Sequence, residues 1–176
     1  LKEAEAKEPD DANAACLATA DEYGRPGARI VLLKNSSEKG FTFFTNRESR
    51  KARALAVNPH AALTFYWKSM DRQIHIEGSV SMTSDQESDA YFASRPRGSK
   101  IGAWASAQSR PLEERKMLLN RVKEYEMKYD GQDDIPRPPY WGGYLLAPAR
   151  IEFWQEGEFR LLHRVLYTRL GEGWEK

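Results

Sequence analysis

Two cations stand where a helix is predicted to begin, in the stretch "TNRESRKA" (residues 45–52). Arg50 and Lys51 fall in the first helical turn, where the partial positive charge of a helix N-terminus makes each cation unfavourable by up to about 1 kcal/mol. Free backbone N–H groups, the Ser49 hydroxyl and these cations would together suit a phosphate dianion. The alternative from this stretch alone is a solvated basic helix end whose charge mismatch is tolerated.

A second polar group is predicted near the end of another helix. Tyr91 and Arg95 are four residues apart, which makes them neighbours on one helix face, and Ser99 and Lys100 follow just after Pro96. A phenol, a guanidinium and a hydroxyl converge there. Because the helix dipole favours an arginine at a C-terminus without any ligand, these residues alone favour a structural role over an anion site.

The stretch "EFWQEGEFRLLHR" (residues 152–164) is predicted to form a hairpin. Trp154 supplies a flat apolar wall, while Arg160 and Arg164, four apart on a predicted strand, share a face. Two neighbouring guanidinium groups repel each other unless an anion or a carboxylate lies between them. His163 is at odd spacing from both and should face away, and a lone strand histidine is more often a surface residue than a catalyst.

Two further stretches carry weaker signals. In "RIVLLK", Arg29 and Lys34 are five apart and point to opposite faces of a strand unless a bulge intervenes. In "IGAWASAQSR", Gln108 and Ser109 could donate and accept hydrogen bonds with a polar heterocycle. A tight, packed turn would give the same small-residue pattern.

Composition excludes several classes of protein. Over 176 residues, 27 Lys and Arg balance 26 Asp and Glu for a net charge of +1, which disfavours a nucleic-acid-coating protein. The single Cys16 excludes an internal disulfide and a Cys-rich metal site and favours a reducing, cytoplasmic location. No apolar stretch approaches the roughly 20 residues of a membrane span. We expect one domain over residues 1–176, with some of the natural N-terminus missing before Leu1.

Short apolar runs separated by turn-forming segments predict an antiparallel meander. The predicted strands cover residues 14–20, 28–34, 40–45, 61–67, 72–82, about 143–154 and 160–169, the last two joined through Glu156-Gly157. In the strand over 72–82, Ile74 and Ile76 share one face and His75 the other.

Helices are predicted between these strands. A helical tail over residues 1 to about 8 ends at Pro9, and the helix in "NRESRKARALAVNP" closes at Asn58-Pro59. Ser84 and Glu87 have capping-box spacing, and Pro96 stops their helix. The last helix lies within residues 111–130, and its apolar stripe is predicted to face the core: Leu112, Met117, Leu118, Val122 and Tyr125. The fold class is therefore mainly β, a small antiparallel barrel with peripheral helices.

Together these stretches resemble one family, the pyridoxine (pyridoxamine) 5'-phosphate oxidases, flavoproteins of the FMN-binding split-barrel fold. The likeness runs from about residue 12 to the end and rests on "RIVLLK", "FFTNRESRKA", "RQIHIEG", "YFASRPRGSKIGAWAS", "AQS", "WGGY" and "IEFWQ". It implies an antiparallel split β-barrel and a homodimer that holds FMN between its subunits. It implies neither a metal, nor nucleic acid, nor a membrane as a partner.

The resemblance also implies roles for individual residues. It implies FMN contacts from Arg29, Ile30, Val31, Leu32, Leu33, Lys34, Phe44, Thr45, Arg50, Lys51, Gln73, Gln108, Ser109, Trp154 and Arg164. It implies substrate contacts from Lys34, Tyr91, Arg95, Ser99 and Arg160, with catalytic roles for Tyr91, Arg160 and His163. The implied reaction oxidises pyridoxine or pyridoxamine 5'-phosphate to pyridoxal 5'-phosphate, a step of vitamin B6 biosynthesis, with dioxygen as acceptor and hydrogen peroxide as product.

One departure from the family affects the expected activity. The family run is usually Arg-Leu-His-Asp-Arg, whereas here it is Arg160-Leu161-Leu162-His163-Arg164, so Leu162 stands where the substrate-facing histidine belongs. A bulge that shifts the register would let His163 recover the role. If no bulge shifts the register and Leu162 occupies the histidine position, the alternative is an FMN- or pyridoxal-phosphate-binding protein with weak turnover. The chain also ends at "GEGWEK", short of the usual family ending.

Overall fold

This computed structural model describes the backbone of residues 1–176 and every side chain except that of Arg160. The eight strands are β1 Ala14–Ala20, β2 Pro26–Ser37, β3 Gly40–Asn46, β4 His60–Trp67, β5 Arg72–Met82, β6 Trp141–Gln155, β7 His163–Leu170 and β8 Gly173–Glu175. The five α-helices are α1 Lys2–Lys7, α2 Arg50–Val57, α3 Asp85–Ala93, α4 Arg97–Ala105 and α5 Arg115–Lys128.

The strands form one antiparallel sheet that closes on itself. Their order is β3-β2-β1-β4-β5-β6-β7-β8, and an additional pairing of β3 with β6 closes the first six strands into a barrel. In β1, burial alternates residue by residue, as expected when one face of a strand lines a core. The predicted small antiparallel barrel is confirmed.

Two glycines allow β6 to pass close to its neighbours. A Cβ at Gly40, where φ is +136°, would overlap the Leu146 carbonyl oxygen. A Cβ at Gly78 would overlap the Ala147 carbonyl oxygen in the same way. No side chain fits at either contact, so both positions require glycine.

The chain divides into two compact units. Unit 1 comprises residues 1–43, 54–81 and 144–176, and unit 2 comprises residues 44–53 and 82–143. The fully buried side chains of unit 1 include Leu17, Phe43, Leu63, Ile76 and Leu146. The expectation of one domain over residues 1–176 stays a prediction.

Unit 2 holds the helices that follow β5. Its capping box is confirmed, because Ser84 Oγ accepts from the Glu87 N–H and the Glu87 carboxylate accepts from the Ser84 N–H. Helix α4 is absent from the sequence prediction. Arg97, in its first turn, donates to the carbonyls of Tyr129 and Gln132.

The prediction that α5 presents its apolar stripe to the core is wrong for most of the stripe. None of the α5 residues, all of which the structure describes, is fully buried, and Met117 is exposed. Val122 and Tyr125 pack partly against a small cluster of Ile101, Tyr129 and Ile135. Two residues of the stripe therefore meet an apolar cluster.

The C-terminal hairpin differs from its prediction. β7 begins at His163 rather than at residue 160, and a short 3-10 turn at Glu158–Arg160 replaces the expected tight connection. The premise that Arg160 and Arg164 share a strand face is therefore wrong. Phe159 in this turn has φ +58°, a left-handed conformation that strands do not use. The short strand β8 is absent from the sequence prediction.

None of the helices described by the structure is long and apolar enough to cross a bilayer. Over the same residues, no group of three or more His, Cys, Asp or Glu side chains is placed to hold a metal ion.

Candidate functional site

The N-terminus of α2 forms a cationic cradle in unit 2. Its first turn holds Arg50, Lys51 and Arg53. The Lys51 side chain is only 8% exposed, and Nζ donates to Thr45 Oγ1 at 3.2 Å and to Gln108 Oε1 at 3.0 Å. Arg50 is exposed. The cradle therefore combines one buried, oriented ammonium with one exposed guanidinium at a helix end, an arrangement suited to a phosphate.

The loop after α4 supplies the other side of this cradle. Gln108 Oε1 also accepts from Thr45 Oγ1 at 3.1 Å, so one amide oxygen joins two residues of the cradle. Ser109 has φ +63°. A non-glycine residue in this region is strained by about 1 to 3 kcal/mol, and such residues cluster at functional sites. The structure therefore brings together Thr45, Lys51 and Gln108 of the predicted FMN contacts.

A stack of three rings, the aromatic plate, lies in the same unit and consists of Phe44, Tyr91 and Trp141. The Phe44 and Tyr91 centroids are 4.1 Å apart, and the Phe44 and Trp141 centroids are 5.4 Å apart with the planes 10° from parallel. Arg95 lies on this plate, with its guanidinium carbon 4.8 Å from the Trp141 ring centroid. Arg95 lies beyond the end of α3 at Ala93 rather than on the helix face of Tyr91, yet both residues lie beside Trp141.

Arg95 is a partly buried cation. Its Nη1 is buried and has no hydrogen-bond partner among the described residues. Burial lowers the pKa of Arg95, and the neighbouring Tyr91 opposes that shift. A buried donor without a partner costs about 1 to 3 kcal/mol, so Arg95 is arranged to receive an acceptor that the described part of the chain does not provide.

The two residues predicted to follow Pro96 at this site lie in the first turns of α4. Ser99 is exposed, whereas Lys100 is only 7% exposed. Arg95 lies four residues before Ser99, and the last turn of α3 holds Tyr91. The chain therefore carries a phenol, a guanidinium and a hydroxyl across the junction of α3 and α4.

In unit 1, the run "RIVLLK" lies within β2. Ile30 and Leu32 are exposed while Val31 and Leu33 are buried in the barrel. The pairing with β3 shifts register between Leu33 and Asn35, which places Lys34 in a β-bulge. The bulge that would relax the alternation between Arg29 and Lys34 is therefore present.

Arg29 is held against the neighbouring strand. Its Nη1 donates to Thr19 Oγ1 at 2.8 Å and to the Leu17 carbonyl at 3.2 Å. Among the predicted FMN contacts on β2, Arg29 therefore already donates hydrogen bonds to groups of the neighbouring strand.

Three further predicted FMN contacts lie on strands of unit 1. Trp154 on β6 is directly opposite Arg164 on β7. Arg164 Nη2 donates to Glu152 Oε2 at 2.5 Å, so a carboxylate neutralises this arginine. Gln73 on β5 is half-buried and lies opposite Tyr66.

The residues of the family departure lie at the start of β7. His163 is opposite Gln155 and lines a cavity of about 300 Å³ with Arg72 and Trp154, whereas Leu162 is 45% exposed just before the strand. The side chain of Arg160, predicted as a catalytic and substrate-contacting residue, lies outside the described part of the structure.

The other two histidines have local partners. His75 Nδ1 is 2.8 Å from Thr64 Oγ1, and its Nε2 is 3.1 Å from a Glu77 carboxylate oxygen. His60 Nδ1 is 3.3 Å from Asn58 Oδ1.

Sequence reasoning misses Trp141 and Arg137, which belong to the aromatic plate or contact it. Arg137 Nη1 donates to the Trp141 carbonyl at 2.5 Å. Both residues lie in the Pro-rich segment "DDIPRPPYWGG", whose composition is typical of a loop, and although "WGGY" carries part of the family resemblance, no role is predicted for Trp141. An arginine between two prolines and close before a tryptophan is the available hint.

Two family models match the chain. Residues 1–129 match the model described as "Pyridoxamine 5'-phosphate oxidase". Residues 141–176 match the model described as "Pyridoxine 5'-phosphate oxidase C-terminal dimerisation region".

Curated relatives carry a consistent name. A pyridoxine/pyridoxamine 5'-phosphate oxidase of Anaeromyxobacter dehalogenans is 57% identical over 175 residues, covering 99% of this chain and 88% of that protein. The protein of the same name from Paraburkholderia phymatum is 58% identical over 163 residues, covering 92% of this chain and 76% of that protein.

Solved structures agree with the fold. PhzG from Burkholderia lata 383, solved in complex with tetrahydrophenazine-1-carboxylic acid, matches with a TM-score of 0.88 and 31% identity, covering 94% of this chain and 81% of that chain. A pyridoxamine 5'-phosphate oxidase-related, FMN-binding protein from Nostoc punctiforme matches with a TM-score of 0.79 and 20% identity, covering 99% and 92%. The second likeness supports the fold alone.

Proposed function

This chain belongs to the pyridoxamine 5'-phosphate oxidase family, and we propose that it is an FMN-dependent oxidase that converts pyridoxine or pyridoxamine 5'-phosphate to pyridoxal 5'-phosphate. Dioxygen is the proposed electron acceptor and hydrogen peroxide the second product. The observation that carries the proposal is Arg95 on the aromatic plate, a guanidinium whose buried Nη1 has no hydrogen-bond partner among the described side chains and backbone groups. The single cysteine favours a cytoplasmic location.

The residues of the cradle fit the phosphate of FMN. Lys51 is buried, oriented by Thr45 and Gln108, and lies in the first turn of α2. A dianion there would offset the charge mismatch of a first turn with three cations. We assign the FMN phosphate to Arg50, Lys51 and Thr45, with Gln108 and Ser109 beside it.

Further residues of unit 1 are proposed to contact the flavin. Exposed Ile30 and Leu32 alternate on β2, and Trp154 supplies an aromatic surface on β6. Polar groups on strands of the same unit come from Arg29, Lys34, Gln73 and Arg164. Backbone and apolar contacts of this kind suit a planar ring with polar edges.

The substrate phosphate is assigned to Tyr91, Arg95 and Ser99. A charge-assisted hydrogen bond to Arg95 Nη1 would satisfy the buried donor and stabilise the complex by about 1.5 to 3 kcal/mol. The aromatic plate excludes water from one side of this guanidinium, which strengthens its attraction for an anion. On the basis of the family motif, Lys34 and Arg160 remain proposed substrate contacts. On the same basis, Tyr91 remains a proposed catalytic residue.

Bound FMN would supply the acceptor for the hydride that leaves the C4' carbon of the substrate. The chain supplies binding and orientation. Two separate cationic groups, one around Lys51 and one around Arg95, can fix two phosphates, and fixing both ligands lowers the entropic cost of bringing them together. Phosphate recognition should therefore raise the rate as well as the affinity.

We propose that the protein is a homodimer. Residues 141–176 match a dimerisation region, and this stretch exposes Phe153 and Leu166. Ile30, 66% exposed on β2, adds another apolar side chain to the surface of unit 1. Such side chains commonly mark an interface when they are contiguous.

The deciding experiment measures the two expected products of the flavin-loaded protein. Purified protein is loaded with FMN, mixed with pyridoxine 5'-phosphate in air, and assayed for pyridoxal 5'-phosphate and hydrogen peroxide. We expect both products in equal amounts. A flavin-loaded sample that forms neither product would defeat the proposal.

A second candidate function is a binding protein with weak turnover. It is favoured by the exposed Leu162, which stands at the family histidine position. Such a protein would keep its flavin absorbance through purification and bind pyridoxal 5'-phosphate while forming little peroxide. Adding tetrahydrophenazine-1-carboxylic acid, the ligand named for PhzG, tests a related activity in the same assay. If the protein turns over tetrahydrophenazine-1-carboxylic acid faster than pyridoxine 5'-phosphate, the proposed substrate is wrong.

A further inference from the structure

The Arg137 guanidinium donates three hydrogen bonds to residues of unit 2. Its Nη1 donates to the Trp141 carbonyl at 2.5 Å, its Nε to Asp89 Oδ1 at 2.6 Å, and its Nη2 to Asp85 Oδ1 at 3.0 Å. The Arg137 side chain is only 10% exposed. Because Asp85 and Asp89 are one turn apart on α3, a single guanidinium ties that helix to the first residue of β6.

The same two elements meet at two other points. The buried Ser88 hydroxyl accepts from the Gly143 N–H at 3.1 Å, and the Phe92 ring meets the Trp141 ring edge-on with centroids 5.0 Å apart. Helix α3 is thus attached to the start of β6 along its whole length. Arg137 holds the N-terminal part of this contact, where the partners are charged.

The geometry makes Arg95 depend on this attachment. Arg95 closely follows α3 and lies over the Trp141 ring, while Tyr91 on α3 belongs to the same plate. A shift of α3 along Trp141 would move the Arg95 guanidinium relative to the ring that shields it. A planar guanidinium that donates in three directions resists such a shift, whereas a lysine ammonium on a flexible stem does not.

We propose that Arg137 is a positioning residue for the anion site of Arg95. It acts through Trp141 and α3, setting where the Arg95 guanidinium points, rather than by contact with the substrate. This inference rests on the proposed function, because it assumes that the anion at Arg95 is the substrate phosphate. The competing view is that Arg137 only adds stability through two exposed carboxylates, whose ion pairs are each worth little.

The test uses FMN-loaded protein, so that the cofactor site does not take up the probe. Binding of inorganic phosphate is measured by calorimetry, and the KM and kcat for pyridoxine 5'-phosphate are measured by peroxide release. Arg137→Gln should raise the phosphate Kd and the KM by about tenfold each, while kcat falls by a smaller factor. Arg137→Lys should recover only part of this loss. Arg150→Gln, which removes an exposed ion pair to Glu77 elsewhere, is the matched control and should change neither value.

The outcomes separate this inference from the proposed function. Wild type that binds phosphate without forming product would defeat the proposed function, and the phosphate Kd ratio would still decide the role of Arg137. Arg137→Gln protein that melts earlier but keeps Kd and KM within about twofold of wild type would overturn the positioning role. If Arg137→Gln does not fold, Asp89→Ala removes the acceptor of one of the three bonds, and a several-fold weaker phosphate affinity is expected; unchanged affinity would overturn the inference.

Discussion

The Lys51 ammonium donates to Gln108 Oε1 at 3.0 Å although the two residues are 57 positions apart in the chain. The contact joins the first turn of α2 to the loop after α4. A buried charge is tolerated only when polar groups surround it, and Thr45 provides a second oxygen. The cationic end of α2 is therefore oriented before a ligand arrives, which reduces the ordering cost of binding.

Replacing Lys51 should weaken FMN binding more than it weakens the fold. Lys51→Met keeps most of the length of the side chain and removes the charge, so we expect FMN affinity to fall by about 1.5 to 3 kcal/mol. Titration of the apoprotein with FMN, followed by flavin fluorescence, measures the change. Lys123→Met on the exposed part of α5 is the control. Equal affinities for Lys51→Met and wild type would remove Lys51 from the cofactor site.

Local sequence signals predict the elements of the barrel well. β1 and β5 have the predicted bounds because alternation and flanking turns agree there. The capping box of α3 is predictable because two residues three apart suffice to define it. Helix α4 is not predictable from the sequence, because Gly98 and Gly102 disfavour a helix locally. Its stability comes from tertiary contacts, including the burial of Ile101, that a single sequence does not display.

We expect Arg95 to lower the stability of the ligand-free protein and to strengthen substrate binding. Arg95→Met removes a desolvated charge and an unpartnered donor, so the ligand-free protein should be more stable by about 1 kcal/mol. The KM for pyridoxine 5'-phosphate should rise at least tenfold, since about 1.4 kcal/mol corresponds to a factor of ten. Chemical denaturation and steady-state kinetics measure the two effects.

Arg97→Met is the matched control for Arg95. Arg97 donates to two backbone carbonyls, at Tyr129 and Gln132, so its loss should lower stability. The KM relative to wild type should stay nearly constant in the same variant. A loss of stability in both variants would contradict the view that Arg95 is kept for binding.

The attachment of α1 should depend on pH through Glu3. Lys7 and Arg72 donate to its carboxylate and lower the pKa of Glu3 from 4.5 to about 2. A lowered carboxyl pKa stabilises the folded state fully above about pH 4.5, and that contribution declines as the pH falls towards 2. The protection of the α1 amides against hydrogen exchange, relative to the exchange of an unfolded peptide at the same pH, should therefore decrease across this range. In Glu3→Gln protein this pH dependence of the protection should disappear; its persistence would assign the effect to another group.

The departure at Leu162 can be tested by restoring the family run. Leu162→His combined with His163→Asp should raise kcat if the proposed oxidase turns over slowly because the histidine is absent. The increase should be of the order of tenfold to a thousandfold, the range between a lost hydrogen bond and a lost acid–base group. Neither single change should give the full gain. No increase in the double variant would discredit the role given to this pair.

The hairpin shows why part of the site cannot be predicted from sequence. The expected strand from residue 160 requires a tight turn, but the chain uses a 3-10 turn with left-handed Phe159, and no glycine stands at that position to signal it. Arg137 escapes prediction for another reason. Trp141 is only four residues away, but Asp85 and Asp89 are brought to Arg137 by tertiary packing, which sequence spacing does not indicate.

The close passage of β6 over Gly78 determines where the protein can carry a reporter group. A cysteine at position 78 would place its Cβ against the Ala147 carbonyl, so a dye could not be attached there without opening the seam of the barrel. Gly102 on α4 has room for a side chain, because apart from its chain neighbours and the nearby backbone of its own helix, no atom of the described residues lies within 4 Å of the place that a Cβ would occupy. A fluorophore at that helix position would follow motions of unit 2 while the barrel stays chemically untouched.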